Sequence, residues 1–189
     1  MVLRRASGLI ALFCLCAPAL AAPQTKTLPE SGIWLDVPFV QQSKNGCGSA
    51  SIAMLLQYWA AKQGRLANAA SDAGQIQRQL YSEKAHGILA SQMQRYFQQQ
   101  GFRTFAFRGH WDDLYLQIAK GRPLIVAVKS EGDDRHFVVV AGLDPVQGLI
   151  MLNDPARRKL FPQDRASFER QWTAAGNWTL LALPQAEPR

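Results

Sequence analysis

The stretch Val37-Pro38-Phe39-Val40-Gln41-Gln42-Ser43-Lys44-Asn45-Gly46-Cys47-Gly48-Ser49-Ala50 runs directly into Ser51-Ile52-Ala53-Met54-Leu55-Leu56-Gln57-Tyr58-Trp59. From Gly46 to Lys62, Ile52, Leu55, Leu56 and Trp59 form one stripe at helical spacing. Ala50, Ala53, Met54 and Tyr58 fill most of the remaining circumference. A helix apolar on nearly every side belongs at the centre of a domain, where it is packed from several directions. Cys47 therefore stands at the start of a central helix, where unpaired backbone N–H groups and the positive end of the helix dipole favour a thiolate. Gly46 and Gly48 are expected to let the backbone turn sharply there and to let a substrate chain come close.

Working outward, helices are predicted over 67–80, over 89–100 with Gly101 ending it, and over 111–120 with Gly121 ending it. Downstream the pattern changes to runs rich in Val, Ile and Phe at 103–107, 124–129, 136–142, 149–153 and 178–183, which read as strands. Helices first and strands second predict an α+β fold, with the Cys47 helix packed on a mostly antiparallel sheet.

The beginning of the chain carries Arg4 and Arg5, an apolar run from Gly8 to Ala17 and the small-residue pattern Ala19-Leu20-Ala21. This is the pattern of a secretory signal over 1–22, too short for a resident membrane span. A leader over 23–32, a domain over 33–184 and a tail over 185–189 are expected to follow. The expected location is exported, periplasmic or extracellular. Cys14 and Cys16 fall within the signal and lack the preceding triplet that lipidation requires. Cys47 is then the one cysteine left, and an unpaired thiol in an oxidising compartment points to chemistry rather than to a disulfide.

The formal charge of +7 drops by two once Arg4 and Arg5 are removed. The remaining Lys and Arg are scattered with no aromatic-basic stripe, which argues against nucleic acid as a partner. No pair of His, Cys or carboxylates has metal-ligand spacing, and there is no glycine-rich phosphate loop, so no cofactor is expected.

His136 opens the run Phe137-Val138-Val139-Val140, and the turn Asp144-Pro145-Val146-Gln147-Gly148 joins that run to 149–153. With Leu143 opposite Gly148, counting outward sets His136 opposite Pro155, within one residue of Asp154. A carboxylate beside an imidazole fixes its tautomer and stabilises its cation. On this count Asn153 can orient the ring as well as Asp154. His86 and His110 read as structural or solvated, and the acidic loop Glu131, Asp133 and Asp134 as a solvated turn.

At these residues the chain resembles the bacteriocin-processing C39 peptidases, a branch of the papain-like cysteine peptidases. The resemblance rests on Val37 to Gln41, Asn45 to Ala50, Gly87-Ile88-Leu89, Gly101-Phe102, His136 to Val140 and Asn153-Asp154-Pro155-Ala156. Phe168 and Trp172 also resemble a packing pair of that family. The resemblance implies a papain-like fold, Cys47 as nucleophile, His136 as base and Asp154 as its orienting group. It also implies that Gln41, six residues before Cys47, supplies the side-chain amide of the oxyanion hole. The implied partner is a polypeptide substrate, with a secretion-system component as a second. An amidase or acyltransferase acting on cell-envelope peptides, and a non-catalytic peptide-binding module, are the alternatives. Two features depart from the family: Asn45 stands where many members have Asp, and neither a membrane domain nor a nucleotide site is expected from these residues.

Overall fold

The computed structural model describes residues 32–129 and 135–185. The signal over 1–22, the acidic loop of Glu131, Asp133 and Asp134, and nearly all of the expected leader and tail lie outside the described residues.

In chain order the elements are β1 (Ile33–Trp34), α1 (Cys47–Lys62), α2 (Ala73–Leu80), α3 (Ala90–Gln99), β2 (Phe102–Arg108) and α4 (Trp111–Ala119). They continue with β3 (Leu124–Lys129), β4 (Arg135–Asp144), β5 (Leu149–Asn153), β6 (Phe161–Asp164), α5 (Arg165–Ala174) and β7 (Trp178–Pro184). The sheet runs in the order β2-β7-β3-β4-β5-β6, with β1 added against β4, and every pairing is antiparallel. The fold is α+β, as the order of helical and strand patterns predicts.

Alternation along the strands divides the apolar residues between two cores. Ile125, Ala127, Phe137, Val139 and Leu180 face α1, α2 and α3, packing against Ile52, Leu55, Met93 and Phe97. Leu124, Val126, Val138, Val140 and Leu152 face the other way, against Leu114 and Ile118 of α4 and Phe168 and Trp172 of α5. A sheet covered on both faces needs continuous apolar strands, which is why 124–128 and 137–141 read as unbroken runs. Phe168 and Trp172, paired in the sequence reading, are buried with ring centroids 5.3 Å apart.

Three elements escape the sequence reading. β1 and β6 are short, and α5 has a polar surface on which only Phe168 and Trp172 are buried. The helix expected over 67–80 is interrupted: a single 3₁₀ turn over Ala69–Ser71 precedes α2, and Asp72 caps α2 by accepting from the Gln75 N–H at 2.8 Å. Among the described residues, no helix is long and apolar enough to cross a membrane.

The β4–β5 turn lies one residue later than the sequence count supposes. Asp144 pairs with Leu149 and Leu143 with Ile150, so four residues form the loop. Asp144 accepts from the N–H groups of Val146 and Gln147 and stabilises that turn. A bulge between Val140 and Gly142 then recovers one residue of register, and Val139 pairs with Asn153. The two offsets partly cancel, so Asp154 still comes beside His136.

Candidate active site

Cys47 is the first residue of α1, with Gly46 at the N-cap. The turn before it spans Ser43 to Gly46, closed by the Gly46 N–H donating to the Ser43 carbonyl at 3.0 Å. The left-handed position in this turn belongs to Asn45, at φ 55°, rather than to a glycine. An Asn tolerates that conformation better than most residues with a Cβ. The two glycines serve close packing instead. A Cβ on Gly46 would lie 2.8 Å from Ser43 Oγ, and one on Gly48 would lie 3.0 Å from the Ile88 Cβ.

Side-chain bonds fix α1 against the sheet. Ser49 donates to the Gly46 carbonyl at 2.9 Å, and Ser51 donates across to the Phe137 carbonyl at 3.3 Å. The second bond joins α1 to the residue next to His136, so Cys47 and the start of β4 are held together by buried contacts.

His136 has a side chain 15% exposed, and its Nε2 lies 2.7 Å from Oδ1 of Asp154. Its other nitrogen, Nδ1, is left for the hydrogen bond with Cys47. Asp154 Oδ1 also accepts from the Ala156 N–H at 3.0 Å, which fixes the carboxylate in the turn after β5. Asn153 is fully buried and faces elsewhere. Its Nδ2 donates to the Val37 and Pro38 carbonyls, and its Oδ1 accepts from the Leu160 N–H at 2.9 Å. Asp154 therefore meets the imidazole, while Asn153 ties down the chain leading to the Cys47 turn.

The protonation of the three groups is coupled. Burial is the largest influence on the Cys47 thiol and pushes its pKa up, but the His136 hydrogen bond, the Phe137 and Gly48 backbone and the imidazolium charge outweigh it and bring it below the usual thiol value. Burial likewise works against the imidazolium, yet bonding to Asp154 and Cys47 raises His136 to about 9. For Asp154 burial is again the largest influence and favours the neutral acid, while the His136 bond and charge, the Ala156 N–H and Arg157 hold the carboxyl below its usual range. Together these influences favour thiolate, imidazolium and carboxylate in a row.

Two cavities flank this row. The smaller, about 440 Å³, is lined by Cys47, Asn45, Gly87, Ile88 and Phe137. The larger, about 710 Å³, is lined by Asp154, Arg157, Phe161 and Gln163. His136 and Gln42 border both.

Gln41, expected from its six-residue spacing to face the reaction, has an exposed side chain and lines neither cavity. Gln42, the next residue, borders both cavities. Its N–H donates to the Pro155 carbonyl at 3.0 Å, which brings it against the Asp154 turn. Its amide oxygen is buried and has no hydrogen-bond partner among the described residues. A buried acceptor left unpaired costs on the order of 1–3 kcal/mol.

His86, read from sequence as structural or solvated, is exposed but also lines the smaller cavity, in a left-handed conformation at φ 47°. His110 is the N-cap of α4, where its N–H donates to Asp113 at 2.8 Å. Among the described residues no group of three or more His, Cys, Asp or Glu could hold a metal ion.

Comparison with known proteins agrees with this geometry. The chain is 28% identical over 147 residues to the lactococcin-G-processing and transport ATP-binding protein LagD of Lactococcus lactis subsp. lactis. That alignment covers 78% of the chain and 19% of LagD, so the chain spans about a fifth of that relative. In structure it resembles the peptidase domain of Streptococcus ComA, a bi-functional ABC transporter involved in a quorum sensing pathway. The TM-score is 0.60 at 21% identity, covering 78% of this chain and 98% of that domain. It also resembles a double glycine motif protease from an AMS/PCAT transporter, solved in complex with the leader peptide. There the TM-score is 0.61 at 21% identity, covering 82% and 99%. The sequence model of the Peptidase_C39 like family matches residues 34–180, which include the whole cysteine, histidine and aspartate row. With that match across most of its length, the chain belongs to the Peptidase_C39 like family and is a cysteine peptidase.

Proposed function

We propose that this protein is an exported peptidase that cuts a secreted or envelope polypeptide by attack of the Cys47 thiolate on a peptide carbonyl. The observation that carries the reading is the row Cys47, His136, Asp154, in which Nδ1 serves the sulfur and Nε2 is held 2.7 Å from the carboxylate. Attack forms a tetrahedral oxyanion, for which the Cys47 N–H and the Gln42 side-chain amide are the donors. His136 Nδ1 gives its proton to the leaving amine as the C–N bond breaks and a thioester remains. It then takes a proton from water, whose oxygen attacks the thioester and releases the acid and the thiolate. Asp154 stays ionised and holds the ring.

Export is supported by Arg4, Arg5, the apolar run and Ala19-Leu20-Ala21, with the peptidase domain over 33–184. The names of the relatives make peptides bearing a double-glycine motif the first substrates to try. The purified protein is incubated with such peptides and with a proteome-derived peptide library, and new termini are read by mass spectrometry. Cleavage is expected with wild type and lost in Cys47→Ala. Equal cleavage by both proteins would eliminate the thiolate mechanism.

A further inference from the structure

The two cavities give the cleft a direction. His136 must reach the leaving nitrogen, so the segment departing after the cut crosses the imidazole, and the acyl part stays with Cys47. The larger cavity is lined by His136 and Asp154 and does not include Cys47. The leaving segment therefore enters it.

Arg157 projects along this path. Its N–H donates to the Asp154 carbonyl at 2.9 Å, which places it in the turn that carries the catalytic carboxylate. Its Nε lies 3.5 Å from Asp154 Oδ2, and its guanidinium sits 4.7 Å from the centre of the Phe161 ring. The two contacts fix the plane of a side chain that is still 59% exposed. Among the described residues its Nη groups have no hydrogen-bond partner, so the fork is left free toward the cavity. Lys129 lines the same cavity. The further carboxylate there, Asp164, accepts from the Ser167 N–H at 2.8 Å and caps α5. The group left to meet a substrate is thus a preoriented guanidinium, and its chemical complement is a carboxylate.

We propose that Arg157 is a specificity-determining residue that reads a carboxylate on the leaving segment. The inference rests on the peptidase reading above. From His136 to Asp154 to Arg157 the contacts are 2.7 and 3.5 Å. An extended chain at about 3.4 Å per residue covers that path within about three residues of the cut. The carboxylate belongs to an Asp or Glu side chain in those residues, or to a free C-terminus there.

The test uses one proteome-derived peptide library in two forms, with free and with amidated C-termini, cut by wild type, Arg157→Ala, Arg157→Lys and Arg157→Glu. Iodoacetamide labelling of Cys47 checks that each variant keeps a formed site. Wild type is expected to favour acidic over basic residues after the cut by about five- to tenfold. Arg157→Ala should lose the preference, Arg157→Lys keep part of it and Arg157→Glu invert it. Because the ratio is taken within each protein, any general loss of rate cancels. Acidic preference in both library forms assigns the carboxylate to side chains, and a preference for free over amidated C-termini near the cut that Arg157→Ala loses assigns the C-terminus. Cleavage with the same charge ratio and the same free-to-amidated ratio in all four proteins overturns the role of Arg157 and leaves the peptidase standing. Absence of Cys47-dependent cleavage overturns the peptidase reading and this inference with it.

Discussion

Replacing Asp154 with Ala tests the coupling of the site most directly, because it removes the contact that opposes burial of a charged imidazole. His136 stands at about 9 against an ordinary 6.5, with burial pulling it down and the 2.7 Å bond to Asp154 the foremost influence raising it. A hydrogen bond to a charged group contributes about 1.5–3 kcal/mol, which is about one to two pH units at 1.36 kcal/mol each. The variant should therefore lower the His136 titration by about one to two pH units. The Cys47 thiolate loses part of its imidazolium partner, so its own titration moves up. The pH window in which thiolate and imidazolium coexist narrows from both ends.

The assay is the rate of Cys47 alkylation by iodoacetamide from pH 4 to 10, followed by mass spectrometry. Wild type should show an acid step below the usual thiol range and a second step near 9. In Asp154→Ala the two steps should approach each other. Stability gives the same test a second readout. The raised His136 contributes stability fully present below 6.5 and lost as pH rises through about 9. The depressed Asp154 contributes stability present above its ordinary 3.8 and lost as pH falls through its lower folded value. The Tm difference between wild type and variant should be largest between about pH 4 and 6.5 and should shrink toward both extremes. Superimposable alkylation profiles for the two proteins would refute the reasoning.

The remaining predictions concern the oxyanion and the support of the site. Gln42→Ala should lower kcat on any cleaved peptide by about a hundredfold or more, while Gln41→Ala, at an exposed position, should leave it within about twofold. The reverse ranking in a steady-state comparison would return the oxyanion role to Gln41. Asn153→Ala leaves two carbonyls and one N–H without their side-chain partner. It should lower stability in urea unfolding by about 3 kcal/mol or more, and an unchanged midpoint would show that water replaces those bonds.

The fold was legible wherever burial was continuous. α1 announced itself through an apolar surface on nearly every side, and β3, β4 and β7 through unbroken apolar runs, because these elements are covered from more than one direction. The elements that escaped have one buried face or little length. α5 buries only Phe168 and Trp172, and β6 alternates half-buried and exposed positions over four residues. The break before α2 depends on the Asp72 cap, a local hydrogen bond that competes with apolar periodicity and interrupts it.

The site divides along a different line. Cys47, His136 and Asp154 were identifiable because chemistry and topology both constrain them: a cysteine at a helix start, and two residues at the open end of one hairpin. The hairpin count was off, yet a shifted turn and a one-residue bulge partly offset each other, and a carboxylate in a turn can reach an imidazole from adjacent registers. The glutamine had no such tolerance. Its position follows from the Ser43–Gly46 turn and the bond between the Gln42 N–H and the Pro155 carbonyl, neither of which a spacing reveals. In extended chain one residue of error exchanges a side chain facing the cleft for one facing water. Arg157 was hidden for a related reason, since an arginine three residues after an aspartate is common on any surface. Its meaning comes from the Phe161 ring and the cavity, which only the folded chain assembles. Residues held by backbone geometry thus tolerate an approximate count, whereas those that face a ligand require the side of the chain to be known.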